Sequence, residues 1–119
     1  MQRTPLRAAV DAGRYERRSL RVKREDLVLE ESTRVALITM VAGEESPWHH
    51  HSSVTEHVVC VSGKITLKMV STPASVILAP GEWHEIPPDV RHCLFNSEEL
   101  ASTYILVQRG AYDFVSSNS

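Results

Sequence analysis

Short runs of β-branched and other apolar residues, broken at close intervals by turn formers, fill the chain from Thr33 to Arg109. Thr33 to Val41, Val54 to Val61, Lys64 to Val70, Ala74 to Ala79, Trp83 to Pro87, Arg91 to Asn96 and Ser102 to Arg109 each have the composition of a strand. Between them stand Gly43, Ser46-Pro47, Ser52-Ser53, Ser62-Gly63, Pro73, Pro80-Gly81 and Pro87-Pro88-Asp89, whose backbone preferences favour turns. Past Val10 no segment sustains apolar positions at the helical period over a helix length. The pattern predicts an all-β chain. Many short strands at this spacing argue for a sandwich or a closed barrel, because closure removes exposed sheet edges.

The pattern changes ahead of Thr33. Arg14, Arg17, Arg18, Arg21, Lys23 and Arg24 crowd a stretch that also holds Tyr15, Leu20 and Val22. Such a cluster could face nucleic acid or a phosphorylated partner. Glu16, Glu25 and Asp26 are interleaved with it, however, and an edge strand with a charged outer face accounts for the mixture without any polyanion. Residues 1–32 are expected to form N-terminal strands or a dimer arm beside a barrel core at about residues 33–110.

The length of 119 residues suits one domain, 1–119, and neither an internal repeat nor a Gly/Ser-rich linker divides it. A net charge of −2 gives no global attraction to nucleic acid or to an anionic membrane. No stretch approaches the roughly 20 apolar residues of a membrane-spanning helix. The basic N-terminal stretch has no apolar run behind it, so no secretory signal is expected. Two cysteines, Cys60 and Cys93, do not make a disulfide framework, which fits a reducing compartment and a cytoplasmic location.

All six histidines lie between His49 and His92. Residues two apart on an extended chain point to one side, so His49 and His51 project together while His50 points away. A turn at Ser52-Ser53 lets Glu56 come in on the next strand, and His92, following the Pro87-Pro88-Asp89 turn, is placed to supply a fourth ligand. Two neutral imidazoles and a carboxylate suit one divalent transition metal (Fe, Mn, Ni, Zn or Co) while leaving coordination positions open.

The stretch from Gly43 to Gly63, GEESPWHHHSSVTEHVVCVSG, resembles the first motif of the cupins: a glycine, five residues, His-x-His, three or four residues, Glu, six residues, glycine. The stretch from Gly81 to Asn96, GEWHEIPPDVRHCLFN, resembles the second, with Gly81, Pro87, His92 and Asn96 at its fixed positions. Asp89 stands where that motif carries glycine, and aspartate tolerates the left-handed turn better than most residues. The resemblance implies a single cupin domain folded as a double-stranded β-helix, or jelly-roll barrel, with His49, His51, Glu56 and His92 as metal ligands. It also implies a small-molecule substrate or ligand, with dioxygenase-like or proton-transfer chemistry (isomerase, lyase, decarboxylase, cyclase) on a small oxygenated organic molecule. The alternative is a cupin that binds or senses a small molecule without turning it over. Glu56 could double as a proton acceptor. A homodimer is expected, because cupins often pair through sheet faces and arms.

Other residues carry weaker expectations. His57 follows Glu56 and so points to the opposite side, as a packing or interface residue. His84 shares a side with Ile86, for core packing or for an acid–base role beside the metal. Cys60 has the parity of Glu56 and is read as a small buried hydrophobe. Trp48 is expected at the cavity rim or in the adjoining loop, and Trp83 at the rim or in a dimer contact.

Overall fold

The structure is a computed structural model and describes residues 23–116. The basic side chains of Arg14, Arg17, Arg18 and Arg21, with Tyr15, Leu20 and Val22, lie outside the described residues. Ten strands follow in chain order: β1 (Lys23–Leu29), β2 (Thr33–Met40), β3 (His49–His50), β4 (Ser53–Ser62), β5 (Ile65–Met69), β6 (Val76–Leu78), β7 (Trp83–Ile86), β8 (His92–Phe95), β9 (Ser102–Ala111) and β10 (Val115–Ser116). They form two five-stranded sheets, ordered β1-β2-β9-β4-β7 and β10-β3-β8-β5-β6, with every pairing antiparallel. This is the expected all-β jelly-roll barrel. Among the described residues there is no helix, and so none long and apolar enough to cross a membrane.

Alternation builds the interior. On β4 the buried positions are Val54, Glu56, Val58 and Cys60, and on β9 they are Ser102, Tyr104, Leu106 and Gln108. Pairing places these in rows across the sheet: Cys60 opposite Tyr104, Val58 opposite Leu106, Glu56 opposite Gln108. Toward one end the rows are apolar and meet Ile65, Leu67 and Met40, all fully buried. Toward the other the row turns polar, because Glu56 and Gln108 occupy positions that parity would give to hydrophobes.

Two turns are held by specific backbone chemistry. Gly63 adopts φ +72°, and a Cβ there would lie 2.2 Å from Ser102 Oγ, so the corner admits no side chain. Asp89 adopts φ 66°, the left-handed conformation expected of it, and its N–H donates to the His51 carbonyl at 2.8 Å. Asn96 closes a third corner. Its Nδ2 lies within hydrogen-bond distance of the Met40, Val41 and Leu100 carbonyls, and its Oδ1 accepts from Glu98 N–H and Ser102 Oγ–H. Asn96 is therefore a structural clamp in both chain directions.

The N-terminal strand corrects one expectation. β1 is an edge strand, as anticipated, but its charges do not all face outward. Arg24 pairs opposite Ile38 and Asp26 opposite Ala36, two interior positions, so both charged side chains turn inward. A bulge at Leu27, between Asp26 and Val28, shifts the register, and Leu27 with Val28 and Leu29 beyond it is exposed. The sheet alternation overrode the charge pattern there. β3 and β10, two residues each, were not anticipated, and β6 is shorter than the run from Ala74 to Ala79 suggested.

Candidate metal centre

His49, His51, Glu56 and His92 are all buried, and their ligating atoms lie within 4.8 Å of one another. Antiparallel pairing sets His49 directly opposite His92, while β4 brings Glu56 across from the other sheet. Each imidazole is anchored through Nδ1, which donates to a backbone carbonyl: His49 to Pro47 at 2.8 Å, His92 to Val90 at 2.8 Å, and His51 to Asp113. Because a carbonyl can only accept, Nδ1 carries the proton and Nε2 presents its lone pair. Two of those lone pairs meet the Glu56 carboxylate, with His51 Nε2 3.1 Å from Oε2 and His92 Nε2 2.9 Å from Oε1. Neither His51 Nε2 nor Glu56 Oε1 makes a hydrogen bond of acceptable geometry. Buried lone pairs meeting lone pairs at such distances need a proton or a cation between them. The donor set, three imidazole nitrogens and one carboxylate oxygen, fits a divalent transition metal.

Electrostatics are consistent with that fit. Burial would raise the Glu56 carboxyl, but His51 and His92, which in the metal-free protein can carry a proton toward it, outweigh burial and hold Glu56 well below the usual carboxylate range. His49 is lowered to about 4, first by burial and then by its neighbour His92. Burial also pushes His51 down, yet the Glu56 carboxylate and the Asp113 contacts reverse the sign, and its net shift is upward. Gln108 Nε2 donates to Glu56 Oε2 at 2.6 Å and fixes the carboxylate's rotation. The other amide atom, Gln108 Oε1, is buried without a hydrogen-bond partner among the described residues.

A cavity of about 70 Å³ adjoins the four residues, several times the ~15 Å³ that one water requires. The segment after β9 closes over it. The Phe114 ring stacks on His49 with centroids 4.5 Å apart and planes 15° from parallel, and Tyr112 lies 5.3 Å from His51. β10 then pairs with β3, Asp113 Oδ1 accepts from Ser52 N–H at 2.8 Å, and Arg34 covers the Tyr112 ring at 3.8 Å. The Ser52 hydrogen bonds hold the Asp113 carboxyl below its ordinary value.

The structure thus brings together the four residues nominated as ligands. His84 is half-buried opposite Val58 at the sheet edge and does not line the cavity. His57 sits on the outer side, 3.5 Å from Glu85 and against Trp83, which is 60% exposed. Cys60 belongs to the apolar core, where burial raises its thiol. Trp48 is half-buried in the loop before β3, away from the cavity wall. Sequence reasoning missed Gln108, Arg24, Tyr112, Asp113 and Phe114. A polar residue at an interior parity position was the one available signal for Gln108. Nothing local marked the segment beyond Ala111.

Residues 36–108, well over half the chain, match the family model described as Cupin domain. Solved structures share the fold. An uncharacterised conserved protein with a double-stranded β-helix domain from Klebsiella pneumoniae superposes with a TM-score of 0.74 at 16% identity, over 85% of this chain and 88% of that one. Oxalate oxidase gives 0.69 at 18% identity over 79% of this chain, which spans 54% of that enzyme's length. The Cupin_2 domain of an XRE family transcriptional regulator from Enterobacter cloacae gives 0.67 at 21% identity, over 74% and 95%. No curated protein matches the sequence.

Proposed function

The chain belongs to the cupin family, and on that premise we propose that it is a metal-dependent enzyme acting on a small oxygenated organic molecule. His49, His51, Glu56 and His92 hold one divalent transition metal, and the chemistry is dioxygenase-like or proton transfer of the isomerase, lyase, decarboxylase or cyclase kind. The observation that carries this is the set of three Nδ1 anchors, which leave three Nε2 lone pairs free within 4.8 Å of one another and of the buried Glu56 carboxylate, with those of His51 and His92 in direct contact with it. A bound metal of this kind would polarise substrate oxygens or, as iron, support reaction with O2. The chain's own residues orient that chemistry: Gln108 fixes Glu56, Phe114 and Tyr112 screen the histidines from water, and Glu56 is the carboxylate among the described residues that line the cavity, placed to take a proton. A cytoplasmic homodimer is part of the proposal, and a monomer by light scattering at micromolar concentration would remove the dimer from it.

Metal analysis of protein purified without a histidine tag tests the site. Near-stoichiometric metal in the parent, lost in His49→Ala and His92→Ala, is expected; metal that persists in both variants refutes the assignment. If the metal is iron, oxygen uptake with candidate substrates separates a dioxygenase from an isomerase or lyase. The same fold also serves in a transcriptional regulator, which supplies the second reading, a module that binds or senses a small molecule. Saturable binding with no product formed would favour it.

A further inference from the structure

We propose that Arg24 anchors the carboxylate of a small carboxylic-acid ligand whose other oxygen function faces the histidine and glutamate centre. The inference rests on the metal-site reading and adds the class of molecule that the site accepts. Its origin is the register of β1. Arg24 stands opposite Ile38, and Ile38 opposite Tyr104, so the arginine belongs to an interior row and not to the outer face of an edge strand. Its side chain is only 11% exposed and forms part of the wall of the cavity that also holds His49, His51, Glu56 and His92.

The guanidinium is held but incompletely used. Nε donates to Asp26 Oδ1 at 3.0 Å, a single-point contact that sets its orientation. Nη2 is buried and has no hydrogen-bond partner among the described residues. A buried cationic N–H without an acceptor is costly, and such groups persist in native structures where a ligand or an ordered solvent molecule completes them. Charge points the same way. Of the cavity-lining side chains Arg24 is the cation and Glu56 the carboxylate; the buried Asp26 behind Arg24 offsets the arginine, so a divalent metal on the histidines, against Glu56, would still leave the enclosure with one excess positive charge. An anion compensates it.

Shape narrows the anion to a carboxylate. The planar arginine fork matches a carboxylate's two oxygens, and the cavity of about 70 Å³ suits a ligand of few heavy atoms. Ile38, Leu94, Leu106 and Phe114 offer apolar wall for the carbon skeleton between the two polar ends. Succinate and malonate, each with two carboxylates, are the simplest probes of such two-point binding.

Isothermal titration of malonate and succinate, and of neutral malonamide and succinamide, into wild type, Arg24→Gln and Arg24→Lys tests this, with metal content measured on the same samples. Each protein is titrated both metal-loaded and metal-free. Saturable binding of a dicarboxylate to wild type is expected, weakened roughly 10- to 100-fold in Arg24→Gln at unchanged metal content. Arg24→Lys, which keeps the charge and can still meet Asp26, should fall between. Equal affinity in wild type and Arg24→Gln overturns the proposal, as does a diamide that binds wild type as tightly as its diacid, or no saturable diacid binding at all. Should Arg24→Gln not fold, Arg24→Lys and the diacid–diamide contrast on wild type decide. Should wild type take up no metal, the metal-site reading falls, while the Arg24 comparison is still read on the metal-free protein.

Discussion

Replacing Gln108 by leucine separates the two duties that a residue beside a metal ligand can have. The substitution removes the 2.6 Å hydrogen bond to Glu56 Oε2 and, with it, the unpartnered Oε1. In the metal-free protein these terms oppose each other. Losing a hydrogen bond to a charged group costs about 1.5–3 kcal/mol, and removing a buried orphan acceptor returns about 1–3 kcal/mol. Glu56 also keeps its His51 and His92 contacts. Stability should therefore change by no more than about 2 kcal/mol, a shift of roughly 8 °C in Tm for a domain of this size. With metal the cancellation ends, because the carboxylate loses the partner that fixes its rotation. Loss of such a partner typically lowers metal affinity about 10- to 100-fold, or about 1.4–2.7 kcal/mol. The assay pairs a chelator-competition titration with thermal melts in the presence of chelator. Affinity within about threefold of wild type, or a metal-free Tm lowered by more than about 12 °C, would refute this reading and make Gln108 a folding residue only.

Four further outcomes are expected. Because the His51 proton is bound more tightly than in a free histidine and must leave before metal binds, apparent metal affinity should rise with pH through neutrality by about tenfold per unit; a flat profile between about pH 6 and 7 in chelator-buffered titrations would contradict it. In the metal-free protein the two act in different windows: His51, raised, contributes its stabilisation in full below about pH 6.5 and loses it as pH rises through its folded value, whereas His49, lowered to about 4, costs stability as pH falls from about 6.5 toward 4. Denaturant melts should accordingly show stability falling with pH across about pH 4–6.5 as His49 titrates, with the Glu56 contribution lost in addition at lower pH as its carboxylate is protonated. Asp89→Gly should be neutral or stabilising by less than about 1 kcal/mol, and Asp89→Val destabilising by about 1–2 kcal/mol or more, since the position holds φ 66°; equal melting of the two variants would show that the turn relaxes. Phe114→Ala should lose about 0.5–1.5 kcal/mol of ring contact with His49 and speed removal of metal by chelator, and an unchanged stripping rate would mean that this ring does not limit access.

The ligands were legible because their logic is local. His49 and His51 share a side through strand parity alone, and the spacing from Gly43 to Gly63 and from Gly81 to Asn96 carried the rest. Asp89 was readable for the same reason, as its left-handed φ follows from its place in one turn. Arg24 was not. Its inward direction depends on standing opposite Ile38, a pairing fixed by the whole sheet, while its immediate neighbours are charged and suggest solvent. Gln108 lies between these cases: its parity on β9 was in the sequence, but its partner Glu56 is 52 residues away. Phe114 and Asp113 follow the last predicted strand, and their role exists only because β10 returns to β3.

That return explains an asymmetry among the three histidines. His49 and His92 anchor Nδ1 on carbonyls only two residues earlier, Pro47 and Val90, so the loop that delivers each ligand also fixes its tautomer. His51 anchors on Asp113, 62 residues away, in the segment that places Phe114 over His49. One short piece of chain therefore does two things at once: it screens the cavity, and it holds the lone pair of one ligand toward the centre. The surroundings of His51, Asp113 among them, also favour its proton, so any loosening of Asp113 acts on both sides of the competition between proton and metal. Access and affinity are coupled through the segment after β9, whereas the apolar rows around Val58, Ile65 and Leu67 lie outside the cavity wall. The barrel's stability and its chemistry are in this way assigned to different ends of the same two sheets.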